Sequence, residues 1–302
     1  MSEPNDTMDT VASAIAEASP SETTRRFAFR GTEALVRASA FDGYPAPDRG
    51  TMAGASPWEA PGDELLAVAL DSSAAPLPEP GDSLTVPGGA LAASYPAETD
   101  APDGWEWKPF RSLINALPEP LWLPAARAMA YANWRASSRF CGRCGSPNGD
   151  KPDEIARLCP VCGALSFPRL SPAVLAAVHK DDRLLLARNA LNRTGAWSIL
   201  AGFVEPGESF EGCVGREVME EVGIVVRTTG YRGSQPWPFP DQLMVGFTAE
   251  WVSGELTPDG VEIAEAGWFG PDDHPPLPMR GSLSRRLIEA AFEDIRTAGT
   301  RR

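Results

Sequence analysis

Between Gly202 and Ile224 the chain reads GFVEPGESFEGCVGREVMEEVGI, and this stretch limits the fold more than any other. It couples a glycine-bounded loop to a helix-forming run carrying Glu217, Glu220 and Glu221 within five residues. At about 3.6 residues per turn, positions 217 and 221 stack on one helix face with 220 beside them. Like charges at that spacing repel by about 0.2–0.5 kcal/mol per pair on an exposed helix. Neither Glu217 nor Glu221 has a lysine or arginine four residues away. The spacing therefore calls for a positive partner on that face. A hard divalent cation fits, because it prefers carboxylate oxygens.

With 302 residues there is room for two domains, each with its own core. No apolar run is long enough to span a bilayer, and the opening MSEPNDTMDT is acidic and polar. The expectation is a soluble, cytoplasmic protein with no membrane partner. A net charge of −14, concentrated before residue 139, argues against duplex nucleic acid as a partner. It leaves room for one small anionic substrate held through a metal. The two histidines, His179 and His274, lie near no serine or cysteine nucleophile signature, so acid–base work falls to carboxylates.

Residues 1–24 read as a disordered tail, polar and without sustained periodicity. Residues 25–138 read as a small strand-rich domain ending in a helix. Its short apolar runs (FAFRG, ELLAVAL, SLTV) are broken by Pro and Gly, and helical spacing after Pro124 puts Leu121, Ala125, Met129 and Trp134 on one stripe. Residues 139–168 carry Cys141, Cys144, Cys159 and Cys162 as two C-x2-C knuckles fourteen residues apart. That spacing predicts a closed, structural Zn²⁺ site of four thiolates, with a redox pair as the lesser alternative. Cys213 reads as a small packed residue.

Residues 169–302 alternate strand and helix signals. AVLAAVHK and RLLLAR form a hairpin; WSILAG, IVVRTTGYRGSQPW, QLMVGFTAEWV and VEIAEAGWF are further strands. The run SLSRRLIEAAFEDIRTAG predicts an amphipathic helix burying Leu283, Leu287, Ala290, Ala291 and Ile295. Strands with one embedded helix and one following helix suggest an α/β/α sandwich around a mixed sheet.

The residues from Gly202 fill the pattern G-x5-E-x7-R-E-U-x-E-E-x-G-U, U being a bulky aliphatic, with Gly202, Glu208, Arg216, Glu217, Val218, Glu220, Glu221, Gly223 and Ile224. This resembles the Nudix hydrolase signature. Gly202 and Gly207 are expected to bend the loop toward the helix, and Glu208 to brace it by pairing with Arg216. The resemblance implies Mg²⁺- or Mn²⁺-assisted attack of water on a diphosphate. It makes Glu217 and Glu221 direct metal ligands, with the Ala201 carbonyl as another and Glu220 as a ligand or the base.

A second stretch, Ser234-Gln235-Pro236-Trp237-Pro238-Phe239-Pro240, joins a rigid extended backbone to flat apolar rings suited to a nucleobase or nicotinamide. SQPWPFP after such a box, with a four-cysteine ribbon before it, is similar to the bacterial NADH pyrophosphatases, which also remove NAD caps from RNA 5′ ends. That likeness implies hydrolysis of NADH or NAD⁺ to nicotinamide mononucleotide and AMP, and a homodimer whose ribbon helps complete the partner's pocket. It also makes Glu262 a further metal carboxylate. Arg111, Glu154, Phe167, Phe203, Ser284 and the run from Gln235 through Pro236, Trp237, Pro238, Phe239 and Pro240 to Asp241 and Gln242 become substrate-binding positions. The chain departs from the family at Asp241-Gln242, where a serine is usual after one residue, and at Phe167, where a tyrosine is common. Alternatives are a broader pyrophosphatase acting on ADP-ribose or dinucleoside polyphosphates, and a non-catalytic zinc-ribbon binding module. The intact glutamate set argues against the second.

Overall fold

Strand β9 (Ser171–Lys180) is buried over six consecutive residues, as expected of a strand covered on both faces, and the sheet around it organises the larger part of the chain. The computed structural model describes residues 26–30, 33–37, 82–85, 91–115, 119–192 and 194–300. The expected tail over residues 1–24 and the ELLAVAL run lie outside the described residues. The chain divides into two compact units, with one boundary between Ala132 and Asn133.

In the first unit, β1 (Arg26–Arg30), β2 (Glu33–Arg37), β3 (Asp82–Thr85), β4 (Leu91–Ser94) and β5 (Trp105–Pro109) form a sheet in the order β3-β4-β1-β2-β5. The β1–β4 pair is parallel and the others are antiparallel. Ala28, Leu35, Ala93 and Tyr95 make its core, with Trp105 and Trp107 packed on it. The helix expected after Pro124 instead spans Glu119–Ser137, with Pro124 inside it. A proline near a helix start removes only one intrahelical donor, so the sequence reading set the boundary too late. Ala125, Met129 and Trp134 are buried as expected; the Leu121 side chain lies outside what is described.

The second unit begins the ribbon with β6 (Gly149–Asp150), β7 (Arg157–Leu158) and β8 (Leu165–Ser166), an antiparallel meander. Arg135, at the end of the long helix, is buried and bonds Asp150 at 2.7 Å; with Arg157 it holds that carboxyl below the usual range. The six-stranded mixed sheet follows: β9, β10 (Arg183–Asn189), β11 (Leu200–Phe203), β12 (Val225–Trp237), β13 (Gln242–Ser253) and β14 (Ile263–Phe269). Its order is β12-β13-β9-β10-β14, β11 pairs with β9, and only the β9–β13 ladder is parallel. The hairpin turns at Asp181, whose φ of 52° is left-handed.

Alternation along β9 and β10 serves two cores. Val174, Ala176, Val178, Leu185 and Ala187 face Cys213, Val214, Val218 and Val222 of the box helix Phe210–Val222. Leu175, Ala177, Leu184 and Leu186 face Leu283, Leu287, Ile288, Ala291 and Phe292 of the helix Leu283–Thr300. The α/β/α sandwich is therefore present. Within the second helix the expected face is rotated. Ala290 is exposed, whereas Ile288 and Phe292 are buried, because the sheet takes the larger side chains two positions away on either side.

Candidate active site

Register places the functional stretches at one end of the sheet. Phe203 pairs with Ala173, Ala173 with Met244, and Met244 with Gln235, so the box and the SQPWPFP run flank the same strand ends. Gly202 is not a loop residue: it lies in β11 opposite Val174, and the bend falls at Gly207, φ 88°. The need for glycine at 202 is steric. A β-carbon there would lie 1.8 Å from the carboxylate carbon of Glu217. Only a bare backbone lets the box helix bring Glu217 against the strand that carries the Ala201 carbonyl.

Ser209 caps the box helix by accepting from the Gly212 amide at 3.1 Å, and Gly223 ends it in the left-handed conformation, φ 73°. Arg216 does more than brace Glu208. Its guanidinium meets Glu208, Glu217 and Glu220, each at 2.9 Å, and donates to the Phe203 carbonyl at 2.9 Å. The expectation that Glu217 lacks a nearby cation is thus corrected: a long arginine reaches its own neighbour in sequence, which a four-residue spacing rule does not consider. Arg216 holds the Glu208 carboxyl down to about 2.

Glu221 has no such relief. It is 6% exposed, and among the described residues nothing hydrogen-bonds its Oε2. Burial, then the charges of Glu217, Glu262, Asp259 and Glu220, pushes its carboxyl up to about 8. Burial also raises Glu217. A buried carboxylate oxygen without a donor, amid further carboxylates, is the donor set a hard divalent ion takes. The charges of Glu217, Glu220 and Glu262 that act on Glu221 make this group chemically suited to a hard divalent ion.

Glu262 reaches this group through a residue that the sequence reading missed. Asp259 accepts from the amides of Val261, Glu262 and Ile263, the last at 2.8 Å, while its own amide donates to the Glu221 carbonyl at 3.0 Å. One carboxylate thus ties the loop bearing Glu262 to the end of the glutamate helix. The Asp-Gly dipeptide before VEIAEA was the available signal for such a turn. Glu265 is ion-paired with Arg188 across the β10–β14 ladder.

The SQPWPFP run is a strand end before it is a loop. Ser234, Gln235, Pro236 and Trp237 pair with Val245, Met244, Leu243 and Gln242. The Trp237 and Phe239 rings meet edge to face at 5.5 Å, and the Arg111 guanidinium lies over both, 5.6 and 6.0 Å from their centroids. Gln235 is buried and oriented away from solvent: it donates to the Gly281 carbonyl at 2.9 Å and accepts from the Leu283 amide at 2.7 Å. Its side chain supports the start of the following helix. Ser284, on that helix, lies 2.6 Å from the Ser198 hydroxyl, on the face of the sheet opposite the glutamates. Phe203 and Phe167 are both about half exposed. Asp241 closes the turn by accepting from the Ser171 amide at 2.8 Å. Glu154 is exposed and paired with Lys151 at 3.0 Å within the ribbon.

The four ribbon sulfurs lie within 4.8 Å of one another, with Cys141–Cys162 at 3.6 Å and Cys144–Cys159 at 3.5 Å. Disulfide sulfurs would be about 2.05 Å apart. The spacing is close to the tetrahedron edge set by zinc–sulfur bonds of about 2.3 Å. The two knuckles match: Gly145 and Gly163 have φ of 75° and 71° and donate to the carbonyls of Cys141 and Cys159. The Arg143 amide points at Cys141 Sγ, 3.4 Å away. Cys213 is packed in the core, as expected.

A closed thiolate ribbon leading into a glutamate-helix sandwich defines a class, the zinc-ribbon Nudix hydrolases. Residues 136–167 match the NADH pyrophosphatase zinc ribbon domain and residues 169–291 the NUDIX domain. The chain is 46% identical over 191 residues to the NAD-capped RNA hydrolase NudC of Chromobacterium violaceum, covering 63% of this chain and 72% of that protein. It is 42% identical over 189 residues to the NudC of Vibrio parahaemolyticus, covering 62% and 73%. With the NudC of Deinococcus radiodurans identity is 40% over 210 residues, covering 68% and 75%. The chain belongs to the NudC family. Among solved structures, a NUDIX hydrolase from Nitrosomonas europaea matches with a TM-score of 0.46 and 22% identity, over 52% of this chain and 91% of that one.

Proposed function

We propose that this enzyme hydrolyses the pyrophosphate of NADH and NAD⁺ to nicotinamide mononucleotide and AMP, and removes NAD caps from RNA 5′ ends. The observation that carries the reading is one sheet end bearing both the Trp237–Phe239 rings and buried Glu221, whose Oε2 has no hydrogen-bond partner among the described residues. The relatives' name, NAD-capped RNA hydrolase, supports the cap substrate, and the match to the NADH pyrophosphatase zinc ribbon domain supports NADH. Hydrolysis adds water across one P–O bond of the bridge, leaving two monophosphates. Bound Mg²⁺ or Mn²⁺ supplies charge neutralisation at the phosphate oxygens and acidifies a water. Glu217, Glu221, Glu262 and the Ala201 carbonyl would hold the ion, and Glu220 would serve as a ligand or as the base. Arg216 keeps Glu217 and Glu220 oriented through its bonds to both. Trp237, Phe239, Phe203 and Arg111 receive the ring of the substrate.

Further parts of the reading concern assembly and setting. The domain boundaries proposed are 25–138, 139–168 and 169–302. Exposed Phe140, Val161, Leu165, Phe167 and Leu170 on and beside the ribbon support a homodimer. Four thiolates without a disulfide support a reducing, cytoplasmic setting. Among the described residues no helix is long and apolar enough to cross a membrane.

The test is AMP release from NADH, NAD⁺, ADP-ribose and NAD-capped RNA with Mg²⁺ or Mn²⁺, alongside Glu221→Gln. The variant is expected to lose about 100-fold or more in kcat, the scale of a lost acid–base or charge-stabilising group. Release from none of the four would leave a binding module. Faster turnover of ADP-ribose than of NADH would favour the broader pyrophosphatase.

A further inference from the structure

The ring surface formed by Trp237 and Phe239 sits on a backbone that cannot hold itself. Three of the five residues Pro236–Pro240 are prolines, so the run has two amides, and that of Phe239 turns back to the Trp237 carbonyl at 2.7 Å. The carbonyls of buried Pro238 and exposed Pro240, which flank Phe239, take a donor from outside the run. Asn133, near the end of the helix Glu119–Ser137, supplies them: its Nδ2 donates to Pro238 O at 3.1 Å and to Pro240 O at 2.9 Å. A side-chain amide nitrogen carries two hydrogens, and here each carbonyl takes one.

The neighbouring anchors hold the two ends of the run, and Asn133 bonds the Pro238 and Pro240 carbonyls between them. Gln235 ties the entry to the Gly281–Leu283 backbone, and the Ser171 amide ties the exit at the Asp241 carbonyl. Phe110 packs against Phe239 at 6.1 Å, and Arg111 lies over both rings, but these contacts locate the side chains and not the turn beneath them. We infer that Asn133 is a positioning residue for substrate binding, which sets the Trp237–Phe239 surface by holding the Pro238 and Pro240 carbonyls. The inference deepens the dinucleotide reading and rests on it for its kinetic consequence. Because Asn133 touches neither the glutamates nor their loop, its loss should weaken binding and spare the chemical step.

The experiment compares Asn133→Ala, Asn133→Asp and Asn133→Gln with the wild type. It measures kcat and KM for NADH with Mn²⁺, thermal unfolding, and hydrogen exchange of the peptide spanning residues 234–242. Loss of two partly exposed hydrogen bonds is expected to raise KM about tenfold with kcat and the unfolding midpoint retained. Exchange should quicken in that peptide and not in the box helix. Asp, whose oxygens would face carbonyl oxygens, should be at least as impaired as Ala, and Gln should recover part of the loss. An unchanged KM with unchanged exchange, a fall in kcat accompanied by a lower midpoint, or an Asp variant that behaves as wild type would overturn it. If wild-type protein fails to turn over NADH, the substrate reading falls; the exchange of residues 234–242 in the variants still decides whether Asn133 holds the turn.

Discussion

The ribbon presents four cysteines, the box helix three glutamates with Glu262 added from a loop, and the two sets are held in opposite ways. Among the described residues, only the cysteines draw their ligand atoms within 4.8 Å as a set. Their two matched knuckles preassemble a closed tetrahedron, as a structural site requires. The box carboxylates are kept apart instead. Arg216 holds Glu217 and Glu220, whereas Glu221 stays buried with a bare oxygen. A site that must admit an ion and a phosphate together gains from this arrangement. On the proposed reading its ligands would be oriented by neighbours and not by one another, leaving a position for substrate.

If that contrast is right, removing one ribbon ligand should cost the most. Structural zinc in small domains is worth about 10–16 kcal/mol, and Cys159 is buried with its sulfur 3.5 Å from that of Cys144. Cys159→Ser is expected to lose most of its zinc by elemental analysis and to unfold at a lower temperature, whereas Glu221→Gln keeps both. Full zinc content with an unchanged midpoint would break the comparison on the ribbon side. The next effect lies at Gly202, where any β-carbon meets the Glu217 carboxylate. Gly202→Ala must displace that group by an ångström or more, which costs about 100-fold in kcat/KM. The same variant should retain its zinc. NADH hydrolysis at the wild-type rate would show that Glu217 need not sit against the strand.

These outcomes bear on what could be read from residues alone. Spacing was enough for the ribbon, since C-x2-C knuckles act locally and each glycine serves its own turn. The sandwich was legible for the same reason: alternation along β9 and β10 records two cores directly. The box motif marked its carboxylates but not their partners. The reach of Arg216 to three acids and the steric demand for Gly202 arise only once β11 and the helix are packed together. Its place in SQPWPFP groups Gln235 with the expected substrate positions, and its side chain bonds the Leu283 amide, a contact that spacing does not show. Ala290 was placed in the core by a helical period that drifts slightly against the sheet. What spacing leaves out in each case is a contact made by a distant segment.

The smallest expected effect tests whether the open site truly relies on neighbours for orientation. Asp259 accepts three amides of the Glu262 loop and adds a negative charge near Glu221. Two substitutions separate these roles. Asparagine removes the charge but keeps one acceptor oxygen; alanine removes both. If the hydrogen bonds present Glu262 to the ion, Mn²⁺ affinity, read by electron paramagnetic resonance of the protein without substrate, should fall about tenfold in Asp259→Asn and further in Asp259→Ala. If only charge matters, the two variants should fall equally. Mn²⁺ affinity unchanged in both would mean that Glu262 needs no such support, and the carboxylate site would then be closer in kind to the self-assembled ribbon than the geometry indicates.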